Sequence, residues 1–247
     1  MISQYTALYS DLDKMYSESI SGPYQDLSND GTVAALQSGR ITGYWRPTVI
    51  VTDHLNEIKR LWDISRDISY LDIKPLSPAA RWLLSHGYTA TPTFTHVIDI
   101  MAHEWSHIRK SYQNLINRDI ENCSISTNMM EYKELHREMC GRQTRPHQSW
   151  KIQQLMIDRD EGFIVKKDDG AAFFVCNDDW AYYASGKCRS NSHAIIYRGI
   201  QECQNRGIKF LDMGEQVFFG NEKMVNISNF KRGFGGSTHT RILCEKS

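Results

Sequence analysis

The sequence predicts an α/β (α+β) protein, a mixed β-sheet with helices on both faces, and three observations predict it. The second half alternates its elements as β-α-α-β-β-β-α-β-α-β. Within it, strand-like Trp180–Ser185, helical Ser192–Arg206 and strand-like Ile208–Met213 form a βαβ unit, whose right-handed crossover makes its two strands parallel. Before it, Asp168-Asp169-Gly170 and Asn177-Asp178-Asp179 separate three apolar runs as hairpin loops, which makes those strands antiparallel.

The elements follow in order. The first hundred residues are irregular, with turn signals at Gly22-Pro23 and Asn29-Asp30-Gly31 and an apolar run from Pro47 to Thr52. Leu55–Trp62 reads as a helix and Ile68–Ile73 as a strand. Ser77-Pro78 opens a further helix, with Ser as cap and Pro in its first turn, that ends at Gly87. Thr95–Ile100 is a short strand. A helix is predicted from Ala102 to Asn117, then a strand over Cys123–Ser126. Helices follow at Met130–Cys140 and Pro146–Ile157, and strands at Gly162–Lys167, Ala171–Cys176 and Trp180–Ser185. The Ser192 helix buries Ile195, Ile196, Gly199, Ile200 and Cys203 on one face and stops at Gly207. Strand Ile208–Met213, helix Glu222–Phe230 and strand Thr238–Cys244 complete the chain. Two domains are expected, 1–100 and 101–247.

Composition narrows the function classes. Lys plus Arg and Asp plus Glu both total 29, so no net field drives binding to DNA. Met1–Tyr16 is polar and acidic, unlike a secretory signal, and no apolar run approaches the ~20 residues of a membrane span. A cytoplasmic location is therefore expected, with peripheral membrane contact left open. The six cysteines, Cys123, Cys140, Cys176, Cys188, Cys203 and Cys244, contain no C-x-x-C pair and read as reduced core residues.

Two segments near the C-terminus are sharper. Gly207-Ile208-Lys209-Phe210-Leu211-Asp212-Met213-Gly214 reads G-x-x-x-x-D-x-G, and Phe230-Lys231-Arg232-Gly233-Phe234-Gly235 reads F-K-x-x-F-G. Together with His107–Tyr112, Leu135-His136, Gly141–Pro146, Trp150 and Gln153, they resemble the FemABX-like aminoacyltransferases of the GNAT superfamily over roughly residues 85–240. The resemblance implies a GNAT-like mixed sheet preceded by a truncated or degenerate GNAT-like N-terminal region. It also implies an N-acyltransferase acting on an amino group of a cell-envelope, polysaccharide or peptidoglycan precursor, small or lipid-linked. The donor would be acyl-CoA or aminoacyl-tRNA, with no permanently bound cofactor and no metal.

Acyl transfer to an amine needs an activated carbonyl, an amine within reach and a donor aimed at the developing oxyanion. In a GNAT fold the two central parallel strands splay, and the donor's arm lies in the gap. Here the first of them, with Tyr183 and Ser185, would hold that arm, and Ser190, Asn191, Ser192 and His193 at the following helix start would meet a phosphate. The resemblance assigns Lys231 to the neighbourhood of the reacting ester, with Phe230 packed against the donor. Asp212, at the carboxyl end of a parallel strand, and His136 are candidates for the general base. Each of these residues also has a plain structural reading as cap, core or solvated face.

Two alternatives stand beside this reading, a non-catalytic GNAT-like binding module and a zinc hydrolase, the latter because His103-Glu104-Trp105-Ser106-His107 matches the H-E-x-x-H signature. On a helix, both imidazoles would share one face. That face lies opposite the apolar stripe of Trp105, Ile108, Tyr112 and Leu115, among Lys110 and Asn114, as a solvated face would.

Overall fold

The structure is a computed structural model that describes residues 11–28, 32–42, 50–51, 55–72 and 76–246. The expected turn at Asn29-Asp30-Gly31, most of the run Pro47–Thr52, and the first ten residues lie outside that set. The chain forms two compact units, residues 1–94 with 240–247, and residues 95–239.

The first unit carries α1 (Asp11–Ser21), β1 (Gln25–Asp26), β2 (Thr32–Val33), β3 (Ala35–Gln37), β4 (Arg40–Thr42) and β5 (Ile50–Val51). Then come α2 (Leu55–Ile64), β6 (Tyr70–Asp72) and α3 (Pro78–Ser85). Strands β1, β3 and β4 form an antiparallel sheet in that order, and β2 pairs with β5. Ser77 caps α3 as expected, its hydroxyl accepting from the Ala80 N–H at 3.2 Å. Ile242, Leu243 and Cys244 pair antiparallel with Asp72, Leu71 and Tyr70. Ile41, Ile58, Leu61, Ile68, Tyr70, Leu83 and Cys244 form the core.

β7 (Tyr88–Asp99) runs on into the second unit, which contains Thr95–Asp99. It is followed by α4 (Lys110–Asp119), β8 (Ser124–Ser126), α5 (Met129–Cys140), α6 (His147–Asp158), β9 (Gly162–Lys167) and β10 (Gly170–Cys176). β11 (Trp180–Cys188), α7 (His193–Asn205), β12 (Phe210–Glu215), α8 (Glu222–Arg232) and β13 (Ser237–Lys246) complete the chain. In this unit the strands lie in the order β7-β12-β11-β10-β9-β8. The pair β11/β12 is parallel and the others are antiparallel. The mixed sheet and its parallel pair are those the sequence predicts.

Every residue of β10 is buried, which requires cover on both faces of the sheet. Phe163, Val165, Ala172 and Phe174 join Ile195, Ile196, Ile200 and Cys203 of α7 in one core. The alternate residues Ile164, Phe173 and Val175 face the other way, and α5 and α6 pack against β9 and β10. Gly199 is small for a reason, because a Cβ there would collide with the Phe174 ring.

The helix predicted from Ala102 is corrected by the structure. Asp99 Oδ1 accepts from the Met101 and Ala102 N–H groups at 3.1 and 3.2 Å and turns the chain. Trp105–His107 then make one 3₁₀ turn, closed by reciprocal Glu104 and His107 side-chain bonds. Arg109 is extended, with φ −48° and ψ 128°, and only at Lys110 does α4 begin. The six cysteines are unpaired thiols; Cys176, Cys203 and Cys244 are core residues as expected, whereas Cys123, Cys140 and Cys188 are half-buried.

Candidate active site

β11 and β12 pair only through Trp180, Ala181 and Tyr182, opposite Phe210, Leu211 and Asp212. Beyond that point each strand stays with its outer neighbour. β11 continues against β10, with Tyr183 opposite Phe174 and Ser185 opposite Phe173, so Ala184 bulges. β12 continues against β7, with Asp212 opposite Val97 and Gly214 opposite His96, so Met213 bulges. A bulge in each strand re-aims it, and together they leave the facing backbone edges of the two parallel strands unpaired with one another.

Buried side chains hold the β12 bulge in shape. Asp212 Oδ1 accepts from the Thr95 hydroxyl and from the Gly214 N–H, both at 2.6 Å. Asp212 and Thr95 are each 1% exposed. Gly214 has φ +81°, a left-handed conformation that glycine adopts without strain. Gln216 donates to the Gly214 carbonyl at 3.2 Å, and Arg232 donates to Gln216 Oε1 at 3.1 Å. This chain ties the bulge to the end of α8.

Lys231 sits at that helix end. Its Nζ lies 6.0 Å from the Tyr183 ring centroid, and a Cβ on Gly214 would be 3.5 Å from it. The ammonium is therefore within reach of both departing strands. Burial pushes the Tyr183 phenol well above its usual range, so it stays protonated. Gly186 leaves room for that phenol, since a Cβ there would collide with the Tyr183 oxygen.

The F-K-x-x-F-G segment is built by close approach. A Cβ at Gly233 would strike the Tyr112 ring, and one at Gly235 would come within 2.9 Å of His107 Cβ. The Arg109 N–H donates to the Gly233 carbonyl at 2.8 Å. His96 Nε2 bonds the Gly235 carbonyl at 2.7 Å, and His103 Nε2 bonds the Phe234 carbonyl at 2.8 Å. Phe230 and Phe234 join Tyr112 and His193 in an aromatic cluster, with centroids 4.2 Å apart for Tyr112–His193 and 5.1 Å for His193–Phe230. Burial, then Arg109 and Arg118, lowers the His193 pKa and keeps the ring neutral near pH 7.

At the helix start expected to meet a phosphate, Lys167 and Asp119 gather around Ser190 and Asn191. Lys167 Nζ donates to Ser190 Oγ at 3.1 Å and to the Asn191 carbonyl at 3.4 Å. Asp119 Oδ2 accepts from Asn191 Nδ2 at 3.0 Å and lies 3.4 Å from Lys167 Nζ. A hydrogen bond from Arg118 holds the Asp119 carboxyl well below its usual range, so it stays ionised. Ser192 is the N-cap of α7 but makes no side-chain capping bond. Sequence reasoning missed Asp119 and Lys167, since neither carries a motif.

Two further predicted residues, Ser185 and His136, have their side chains beside Tyr132. Ser185 Oγ is 2.8 Å from Tyr132 Oη on α5, and the Tyr132 ring lies 5.9 Å from His136. Burial, then Arg145 and Lys187, lowers the His136 pKa to about 4. Thr95, Gln216 and Tyr132 were not singled out by sequence, and only the D-x-G spacing hinted at the buried carboxylate's partners. The zinc reading of His103, Glu104 and His107 fails on geometry. The two imidazoles do not share a helix face, their centroids are 5.9 Å apart at 72°, and the His103 ring is committed to the Phe234 carbonyl. Among the described residues no group of three His, Cys, Asp or Glu side chains converges as a metal site.

Similar architecture occurs in solved structures of low sequence identity. The C-terminal domain of a putative lysylphosphatidylglycerol synthetase from Agrobacterium fabrum matches with a TM-score of 0.67 at 9% identity, over 100% of this chain and 90% of that one. FemX matches with a TM-score of 0.67 at 10% identity, over 95% of this chain and 91% of that one. The fold is FemX-like. L-PGS from Bacillus licheniformis gives a TM-score of 0.66 at 11% identity, over 95% of this chain and 86% of that one. A GNAT-family acetyltransferase from Colwellia psychrerythraea gives 0.50 at 10% identity, over 100% of this chain and 97% of that one. No family model and no curated protein matches the chain. The expected GNAT-like mixed sheet is thus the observed one.

Proposed function

We propose that this protein is an N-acyltransferase that moves an aminoacyl group from aminoacyl-tRNA to an amino group of a cell-envelope, polysaccharide or peptidoglycan precursor. The observation that carries the reading is the opening between β11 and β12 with the Lys231 ammonium beside it. The donor's ester would lie along the unpaired edge of Tyr183–Ser185. The acceptor's nitrogen lone pair forms the C–N bond, the carbonyl electrons move onto oxygen, and the ester C–O bond then breaks. The amine's proton passes to the departing ribose oxygen. Lys231 would stabilise the negative charge on the oxyanion or on that leaving oxygen, a contribution of about 10²–10³ in rate for one such contact. Asp212 acts in this reading as a positioning residue, because its carboxylate is spent on Thr95 and Gly214.

Two features favour tRNA over acyl-CoA as donor. The segment before α7 lacks a glycine-rich phosphate loop, and its polar groups at Ser190 and Asn191 are already engaged by Lys167 and Asp119. FemX and L-PGS fit with higher TM-scores than the acetyltransferase does. An acyl-CoA donor remains the second reading. Among the described residues no helix is long and apolar enough to cross a membrane, and the reaction is proposed for the cytoplasmic side, where charged tRNA is found.

Thermal shift and transfer assays test this. The expected result is stabilisation by charged tRNA above that by uncharged tRNA, none by CoA, and labelled amino acid moved to an amine acceptor about 10²–10³ more slowly by Lys231→Ala than by wild type. Stabilisation by CoA with transfer from acyl-CoA would move the donor to the second reading. Full turnover by Lys231→Ala would remove the site.

A further inference from the structure

Just beyond the parted end of β12, the segment from Gln216 to Asn221 leads into α8. Phe219 in this segment is 84% exposed, more than any other large apolar side chain among the described residues, and adjacent Phe218 is 46% exposed. Met224 and Ile227, one turn apart on α8, are each 37% exposed. Two bonds make this one surface. The Val217 N–H donates to Ser228 Oγ at 2.8 Å, and the Arg232 guanidinium lies 4.8 Å over the Phe218 ring. An open groove of about 510 Å³, lined by Glu222, Lys223, Asn226, Ile227 and Phe230, runs along the same helix to the residue before Lys231.

Contiguous apolar exposure of this kind marks a contact surface rather than ordinary surface composition. A ring as exposed as Phe219 stands out from the protein, and a fluid hydrocarbon layer takes up a protruding ring without a matching concavity. Arg232 is stacked on Phe218, and exposed Lys223 lies in the first turn of α8, cations suited to the headgroup level. Glu215 and Glu222 are also exposed there, so insertion outweighs net charge in the attraction. We propose that Phe218 and Phe219, supported by Met224 and Ile227, form a wedge that docks the protein on a lipid bilayer. Resting on the proposed function, the wedge would present the Lys231 opening to an acceptor carried in that bilayer.

Co-sedimentation of the full chain with sucrose-loaded vesicles tests the wedge apart from the transfer reaction. One set is phosphatidylcholine alone and the other holds 30% phosphatidylglycerol. The expected result is wild-type binding to both sets to a similar extent, and a loss of about tenfold or more on both in Phe218→Ser/Phe219→Ser. Phe219→Ser alone, at a side chain with little packing to lose, should weaken binding several-fold and decides the matter if the double variant does not fold. Wild type left in the supernatant at every lipid concentration, or variants that sediment as wild type does, would overturn the proposal. Transfer to a soluble amine, measured without vesicles, reports the proposed function separately. Its absence alongside vesicle binding would sink that reading while leaving the wedge standing.

Discussion

His136 should make the protein acid-sensitive in a window that its carboxylates leave untouched. The ring is 6% exposed, with the Tyr132 and Trp150 rings 5.9 and 5.6 Å away. Its pKa is lowered from 6.5 to about 4. The unfolded chain takes up this proton near pH 6.5, whereas the folded chain refuses it until near pH 4. Between those values the unfolded state binds more protons, so stability falls as the pH drops. Each pH unit is worth about 1.36 kcal/mol, so the total approaches ~3 kcal/mol. Asp119, with its pKa lowered, contributes stability above the ordinary Asp value near pH 4 and loses it only below. His96, His103 and His193 are shifted in the same direction, so the comparison must isolate one ring. Urea unfolding at pH 7.5, 6.0 and 4.5 does so, run on wild type and His136→Gln. Wild type should lose about 2–3 kcal/mol more than the variant between pH 7.5 and 4.5. Equal losses would refute the assigned environment.

Further outcomes follow from the site. Lys231→Ala should lower kcat/KM by about 10²–10³ with little change in Tm, and Lys231→Arg should recover part of it. Asp212→Ala strands the buried Thr95 hydroxyl and the Gly214 N–H and should cost about 3 kcal/mol in urea unfolding, with Asp212→Asn costing less. Gly236, at φ +93°, has no room for a Cβ against the Val97 carbonyl, so Gly236→Ala should lose at least ~2 kcal/mol by the same measurement. His103→Ala leaves the buried Phe234 carbonyl without its imidazole partner, and a loss of about 1–2 kcal/mol is expected.

Much of the second unit was legible because its strands are apolar runs punctuated by turn chemistry, and its crossover helix has a clean apolar face. The neighbouring parallel strands follow from that order alone. The start of α4 was not legible, because the pattern of Trp105, Ile108 and Tyr112 fits a helix. Asp99 and the Glu104–His107 reciprocal bonds divert the backbone before a helix can form. β7 is longer than its apolar core suggests, since only Tyr88, Val97 and Ile98 in it are both apolar and buried; its first half is exposed threonine and alanine around Pro92. The glycines of the closing segment could be quoted as a motif, but their reason is contact with Tyr112, His107 and Val97, which are distant in sequence. Asp119 and Lys167 meet Asn191 only in three dimensions, so the occupied helix start could not be foreseen.

The two bulges have a consequence for how this opening can vary. Ala184 and Met213 are each one residue too many for a regular ladder, so the gap begins in chain length, and Asp212 and Gly214 then hold its β12 side in shape. Excising Ala184 would leave Ser185 opposite Phe173 and Tyr183 opposite Phe174 as they are, and straighten β11 by removing the kink between them.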